Sequence, residues 1–327
     1  MNQHLIVELP EILDLRPLQV PREQMIAFSE RFDPQPFHLD DEAAVDTLLG
    51  GLSASAWYVC SKIDELLREE FASRGSSLDV VGAEQIVLLA PVRAGDTLSA
   101  TARLATSAHC RCGDAAAEWA LEVFNQNEQC VARMTLVCLI DANPQAGLGR
   151  YDLCGFRIGR QGRAERRHRI NAIRFFEDVE IGDDIDLGEY TFGAAEVADY
   201  EQRVGIERDV RASAAGRDDV PGWHLPSAWM QCMVHYYERE TIRLTACEQP
   251  VPRLGPAAGI KRLCWHRPVR VGETIAFRGW AERKIAIPSQ KHWGLLVVGA
   301  EGVDAAGQLV ISFYPQMLLE RAPVAPA

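Results

Sequence analysis

The sequence predicts an α+β fold built twice in tandem, each half a long central helix wrapped by an antiparallel β-sheet. Three observations predict it. The first is an internal repeat. SERFDPQPFHLDDEAAVDTLLGGLSASAW, ending at Trp57, aligns without gaps with EQRVGIERDVRASAAGRDDVPGWHLPSAW, ending at Trp229, an offset of 172. Arg31 meets Arg203, Gly50 meets Gly222, and Ser55-Ala56-Trp57 meets Ser227-Ala228-Trp229. The repeat resumes in APVRAGDTLSATARL and RPVRVGETIAFRGWAE, with Pro91 over Pro268 at an offset of 177. It continues in EWALEVFNQNEQCVARMTLVCLI and HWGLLVVGAEGVDAAGQLVISFY. The second observation is one long helical pattern per half. Trp57, Cys60, Ile63, Leu66 and Leu67 share a stripe in a helix starting near Ser53. Trp229, Met233, Tyr236 and Tyr237 do so in a helix starting near Pro226. The third is the alternating or β-branched runs that follow, divided by turns at Gly95-Asp96 and Gly272-Glu273.

Each half then reads in one order. A short opening segment, clearest in IGDDIDLGEYTF, precedes a helical stretch carrying Arg31 or Arg203. An irregular loop, the long helix and the meander follow. Asp40 and Asp41 before EAA are expected to cap a short helix. Trp119 and Trp293 fall on matching strand positions and are expected in the core, as are Met230, Met233, Tyr236 and Tyr237. The halves are placed at residues 1–150 and 172–327. Residues 151–171 form an Arg-rich linker, and the basic stretch holds Arg157, Arg160, Arg163, Arg166, Arg167, Arg169 and Arg174. It reads first as a solvated connector. The alternative is a landing site for ligand phosphates, since guanidinium forks match phosphate geometry.

The chain has 327 residues, a net charge of −12, 47% hydrophobic and 24% charged residues. This is the composition of a well-packed soluble protein. An acidic surface repels a phosphate backbone, so nucleic acid is not expected as a partner. No apolar run approaches membrane-spanning length, and the start lacks a basic segment followed by an apolar core. The nine cysteines include no CxxC pair; Cys110 and Cys112 lie closest together. They read as buried, reduced thiols of a cytoplasmic protein, with no metal site implied.

The candidate chemistry lies in Phe32-Asp33-Pro34-Gln35-Pro36-Phe37-His38. Two prolines in three residues disfavour a helix interior and stiffen the segment. A carboxylate and an imidazole five positions apart can thus aim at one small object, such as a water. Hydration of a conjugated thioester needs a base to take a proton from water and an acid to return one to the α-carbon. The glycine-containing LLGGLSASAW leads into the long helix, whose unpaired N–H groups suit a developing oxyanion.

FDPQPFHLDDEAA followed by GGLSASAW resembles the signature of MaoC-like dehydratases, the group that includes (R)-specific enoyl-CoA hydratases. The resemblance implies a double hotdog fold and a catalytic pair at Asp33 and His38. It places the thioester-binding backbone N–H at Ala56 and substrate contacts at Gln35, Gly51 and Ser55. Gln35 stands where the family has Asn, Ala56 where it has Gly, and Ser55 where many members have His. In the second half Gly205 and Val210 fall on the pair, and Asp209 and His224 are off register, so that half is expected to be silent. It implies a hydro-lyase acting on an enoyl or 3-hydroxyacyl thioester, of CoA or of an acyl carrier protein, without cofactor. A homodimer or higher homo-oligomer is expected. The rival readings are a hotdog thioesterase and a non-catalytic acyl-thioester-binding subunit.

Overall fold

The computed structural model describes residues 9–109, 115–141, 168–205 and 219–323. The first half runs β1 (Ile12–Gln19), α1 (Arg22–Phe32), α2 (Pro36–Leu39), α3 (Asp41–Val45) and α4 (Ala56–Ser73). Four strands follow: β2 (Ser77–Leu88), β3 (Thr97–His109), β4 (Ala115–Phe124) and β5 (Cys130–Asp141). The second half runs β6 (His168–Arg169), β7 (Asp183–Thr191), α5 (Ala194–Val204) and α6 (His224–Ala246). It closes with β8 (Leu254–Trp265), β9 (Thr274–Ala286), β10 (Trp293–Val303) and β11 (Leu309–Glu320).

All strands join one sheet in the order β1-β3-β4-β5-β2-β8-β11-β10-β9-β7-β6. Apart from the two-residue β6, the order is a palindrome about the β2–β8 junction. The repeat in the sequence therefore becomes an approximate two-fold symmetry in space. The halves join edge to edge along Gly82–Val87 and Gly259–Cys264, antiparallel. That pairing removes two sheet edges that would otherwise be open. Gly259 sits there of necessity: a Cβ on it would lie 2.4 Å from the Ile86 carbonyl oxygen.

The two long helices pack against the sheet. Trp57, Cys60, Ile63 and Leu67 of α4 are fully buried, as are Trp229, Met230 and Met233 of α6. The helices meet over β11, where Trp57 and Trp229 both pack edge-on against Phe313. The shorter α1 and α5 carry the repeated arginines to a shared contact: Arg203 bonds Asp199 and the Ala27 carbonyl, and Arg31 lies 3.6 Å from Asp199.

Several expectations need correction. The long helices start at Ala56 and His224 rather than Ser53 and Pro226, so α6 gains an N-terminal turn that α4 lacks. The loop holding the Asp/His pair is not wholly irregular. Pro36 opens the one-turn helix α2, a position where its missing N–H costs nothing. Asp40 caps α3 through Ala43 N–H as expected, whereas Asp41 is its first helical residue. Trp119 is core, but Trp293 is half-buried with the Arg253 guanidinium over its ring. The true register is fixed by the hairpin turns. Asn125 N–H donates to Gln129 O and Asp304 N–H to Gln308 O, and both side chains accept two further turn amides. That sets Trp119 against Val298; the shared tryptophan–x–leucine pattern was a coincidence of letters. Among the cysteines Cys60, Cys138 and Cys232 are buried, but Cys247 is exposed; Cys110, Cys112 and Cys154 lie outside the described residues. So do Arg157, Arg160, Arg163, Arg166 and Arg167 of the linker. Arg169 and Arg174 are described, and both pair with acids around β7.

Replacing Gly259 by alanine should force β2 and β8 apart, costing about 1–3 kcal/mol as overpacked sites do. The urea midpoint of Gly259→Ala against the parent measures this; an unchanged midpoint would show that the junction tolerates a side chain.

Candidate active site

The chain is folded so that the end of α1 faces the start of α4. Pro34 cannot continue α1, so the helix stops at Asp33, whose N–H still bonds Ser29 O at 2.9 Å. The chain reverses through Gln35 and turns once in α2, which presents His38 back toward Asp33. The Asp33 Oδ2–His38 Nε2 distance is 3.4 Å, and both side chains are buried.

Each member of the pair is held from the other side by the segment before α4. His38 Nδ1 lies 2.7 Å from the Ser53 carbonyl oxygen. A carbonyl only accepts, so Nδ1 carries the proton and Nε2 of the neutral ring offers a lone pair toward Asp33. Phe37 packs edge-on against the ring. Asp33 accepts from Ser55 Oγ at 2.7 Å on Oδ2 and from Gln35 Nε2 at 2.7 Å on Oδ1. Burial disfavours its charge, whereas a proton on His38 Nε2, when present, and the Gln35 and Ser55 hydrogen bonds favour it. The carboxyl is held below its ordinary range and is a carboxylate at neutral pH.

Ser55 also caps α4, accepting from Trp57 N–H at 3.3 Å. Ala56 is the first helical residue, and its backbone is right-handed. Among the described residues no backbone acceptor takes its N–H, and Ala56 lines a cavity of about 260 Å³. Asp33, Gln35, His38 and Ala56 line that cavity together. Gly51 and Ser55 do not. The Ser55 proton is committed to Asp33. Gly51 (φ +142°) turns the chain, and its carbonyl accepts from Arg93 at 2.5 Å. Arg93 also donates to the Leu49 and Leu52 carbonyls, fixing the loop that supplies Ser53 and Ser55.

Sequence reasoning missed three contributors. The Ser53 carbonyl is invisible to residue type. Arg93 sits in a repeated turn motif that read as structural. The far cavity wall comes from the second half: Met230 of α6, Leu254 and Ile260 of β8, and Met317 of β11. The pairing of the helices over β11 in a palindromic sheet could have suggested that wall.

The second half has no equivalent site among its described residues. Gly205, at the repeat position of Asp33, ends α5 in the left-handed conformation (φ +75°) that alanine or aspartate resists. Ala228, at the position of Ala56, lies one turn inside α6, where its N–H belongs to the helix ladder. Asp209 and Val210 lie outside the described residues. His224 is fully buried, stacked on Tyr200 at 4.4 Å and 3.2 Å from the Tyr190 hydroxyl. It is a core ring, caged by Phe32 and Phe192 as well.

Among the described residues one group, His168, Glu180 and Asp183, could offer three ligand atoms within 4.8 Å of one another. Asp183 is already engaged by His168 at 2.6 Å and by Arg174 at 3.0 Å, so the group reads as an ion-pair cluster tying β6 to β7.

The family model described as MaoC like domain matches residues 10–115. The match falls within the first half. Across the whole chain the fold is a double hotdog. A MaoC domain protein from Chloroflexus aurantiacus superposes with a TM-score of 0.68 at 15% identity, covering 97% of each chain. Rv0216 from Mycobacterium tuberculosis, a double hotdog protein, superposes with a TM-score of 0.64 at 14% identity, over 96% of this chain and 97% of that one. The peroxisomal multifunctional enzyme type 2 of Drosophila melanogaster gives 0.50 at 12% identity, over 94% of this chain and 48% of that one. No curated protein matches the sequence.

Burial first, and the Arg31 charge second, pull the His224 pKa down to about 3. An unfolded histidine protonates near pH ~6.5. Between those values the unfolded state binds a proton that the folded state refuses, so stability rises with pH and is lost as the pH is lowered, by at most about 1.4 kcal/mol per unit. His224→Gln should flatten this part of the stability–pH curve by up to that amount. Urea unfolding between pH 7 and about 4 reads the slope directly, and parallel curves for variant and parent would contradict the assignment.

Proposed function

We propose that the first half adds water to, or removes it from, an α,β-unsaturated or 3-hydroxyacyl thioester. The observation that carries the reading is the arrangement of two acceptors, Asp33 Oδ2 and His38 Nε2, beside an uncommitted helix N-terminal N–H in one apolar cavity.

The chemistry follows from atom types. A water between the pair gives one hydrogen bond to Asp33 and one to His38 Nε2, leaving an oxygen lone pair for the β-carbon. As the C–O bond forms, the pair takes the water proton, and the thioester oxygen gains charge as an enolate. The Ala56 N–H, at the positive end of the α4 dipole, stabilises that oxygen. The proton held by the pair then passes to the α-carbon; dehydration is the reverse. Gln35 and Ser55 keep Asp33 ionised, and the Ser53 carbonyl keeps the His38 proton on Nδ1. Gln35 is the one of these in contact with both Asp33 and the cavity.

The acyl group would occupy the apolar wall supplied by Met230, Ile260 and Met317 of the second half. The silent half thus serves as part of the substrate pocket. Acyl-CoA is the expected substrate, with an acyl carrier protein thioester as the alternative carrier.

His38→Ala and Asp33→Asn should each lower the hydration rate by about 10²–10⁴-fold while the protein stays folded. The assay is turnover of enoyl-CoA esters of graded length, with a thiol reagent in parallel. Release of free thiol in place of hydration would favour a thioesterase, and parent-like turnover of a folded variant would remove the pair from the mechanism.

Ser55→Ala deletes one donor to Asp33 without touching the cavity. The carboxyl pKa should rise, so the acid limb of the kcat/KM profile should move to higher pH. A limb that stays in place would separate Ser55 from the acid–base machinery.

A further inference from the structure

A second cavity, of about 50 Å³, lies in the second half between α6 and the sheet. Met233 and Tyr236 of α6 line it on one side, and Ala281, Val298 and Leu319 on the other. Met317 of β11 lines this cavity and the catalytic one alike. Along α6, Met230 lines the catalytic cavity and Met233, one turn on, lines the second. The two spaces are neighbours with Met317 between them. A methionine side chain is unbranched and turns about several bonds, so it makes an adaptable partition.

The pseudo-two-fold explains why the space exists. In the first half Trp119 of β4 pairs across the ladder with Leu104 of β3, is fully buried, and packs edge-on against Phe71 at 5.9 Å. Their counterparts, Val298 of β10 and Ala281 of β9, are paired in the same way. An indole and an isobutyl group thus become an isopropyl and a methyl, and both smaller residues line the second cavity. Bulk is exchanged in the opposite sense at the junction. At the gap past Gly82 and Cys264, where the β2–β8 pairing ends, Trp265 packs edge-on against Trp223 at 5.0 Å, and both rings are buried. At the equivalent gap past Val87 and Gly259, β8 has Gly255, Pro256, Ala257 and Ala258.

The two charged residues that line the second cavity, Arg174 and Asp183, are paired with each other at 3.0 Å. Tyr236 is different. It is buried, and its hydroxyl oxygen has no hydrogen-bond partner among the described residues. Burial pushes the phenol up to about 12, so at neutral pH it is a hydrogen-bond donor. The Ala172 amide is near, but an N–H is itself a donor and cannot take the phenol's proton. A buried hydroxyl left without an acceptor costs stability, and phenylalanine would fill the same space without that cost.

We infer that the second cavity is a terminal subsite for an acyl chain that carries a hydroxyl at its far end, and that the Tyr236 hydroxyl recognises that oxygen. This rests on the thioester reading above. A short acyl group ends against Met317. A longer one that turns Met317 aside enters the second cavity, where methylene groups meet Met233, Val298 and Leu319 and the end oxygen accepts from Tyr236. An anionic end is disfavoured, because the Asp183 carboxylate lines the same space and Arg174 is already engaged with it. Met317, Ala281 and Val298 are specificity residues for chain length, and Tyr236 is the specificity residue for the end group.

The test is calorimetric binding to full-length Asp33→Asn protein, in which turnover is suppressed. The probes are trans-2-enoyl-CoA thioesters of graded chain length, each plain and ω-hydroxylated, with crotonyl-CoA as the short reference. A hydroxyl that stops short of Tyr236 is buried without a partner, so on short chains it should weaken binding. At the length that reaches Tyr236 the hydroxylated thioester should bind about two- to tenfold tighter than the plain one. Tyr236→Phe should abolish that preference, and its urea midpoint should equal or exceed that of the otherwise identical protein. Val298→Trp places the ring of the first half in the second cavity. It should weaken the long thioesters by about tenfold or more relative to crotonyl-CoA. Tighter binding of the plain thioester at every length, or a hydroxyl preference that survives Tyr236→Phe, would overturn the subsite. So would a lowered midpoint for Tyr236→Phe, which would mean that the hydroxyl is bonded to an enclosed water. If the hydroxyl preference depends on Tyr236 while the protein with Asp33 intact hydrates nothing, the subsite stands and the hydration reading falls. If that protein hydrates plain thioesters and an end hydroxyl weakens binding at every length, hydration stands and the subsite falls. No binding by any thioester removes both.

Discussion

The antiparallel pairing of β2 with β8 is the constraint on which the molecule depends. It converts two half-sheets into one, and it fixes where each long helix lies relative to the other half. The approach is close enough that Gly259 meets the Ile86 carbonyl with no room for a Cβ. The pairing is also finite. Because it stops at Val87 and Gly259, the two strands diverge at a defined place, and residues of both line the cavity that also holds Asp33 and His38.

Around the pair the structure uses one short segment for several tasks. Residues 49–56 give Ser53 O to His38, Ser55 Oγ to Asp33 and Ala56 to the cavity lining. None of these is free to drift, because Arg93 grips three carbonyls of the same segment. A carboxylate buried to this degree would ordinarily tend to protonate. Here the Gln35 and Ser55 donors oppose that tendency.

Much of this was legible in the sequence, for identifiable reasons. The repeat gave the doubled architecture because equivalent positions face equivalent neighbours: Arg31 and Arg203 meet between α1 and α5, and Trp57 and Trp229 flank Phe313. Asp33 and His38 were legible because prolines restrict the chain between them. Gly51 and Ser55, expected as substrate contacts, do not line the cavity, since sequence proximity to a helix start does not say which groups face it. The register of the last hairpin was lost because tryptophan outweighed the turn residues, although Asn125 and Asp304 make the same hydrogen bonds. The residues of the cavity wall were not legible locally: Asp33 and Met317 are separated by most of the chain, and only the doubled architecture hints that the second half supplies a wall.

Joining the halves in one chain has a consequence for the two tryptophans, Trp223 and Trp265. A symmetric dimer places the same side chain at both of its equivalent points, so a residue that plugs one gap must plug the other. A single chain is released from that rule. It can hold bulk at one point and alanine at its counterpart, and each can be altered by mutation without a matching change across the axis. Duplication thus gave the molecule a second address for every position, and with it the freedom to pack one side tightly and leave small residues at the other.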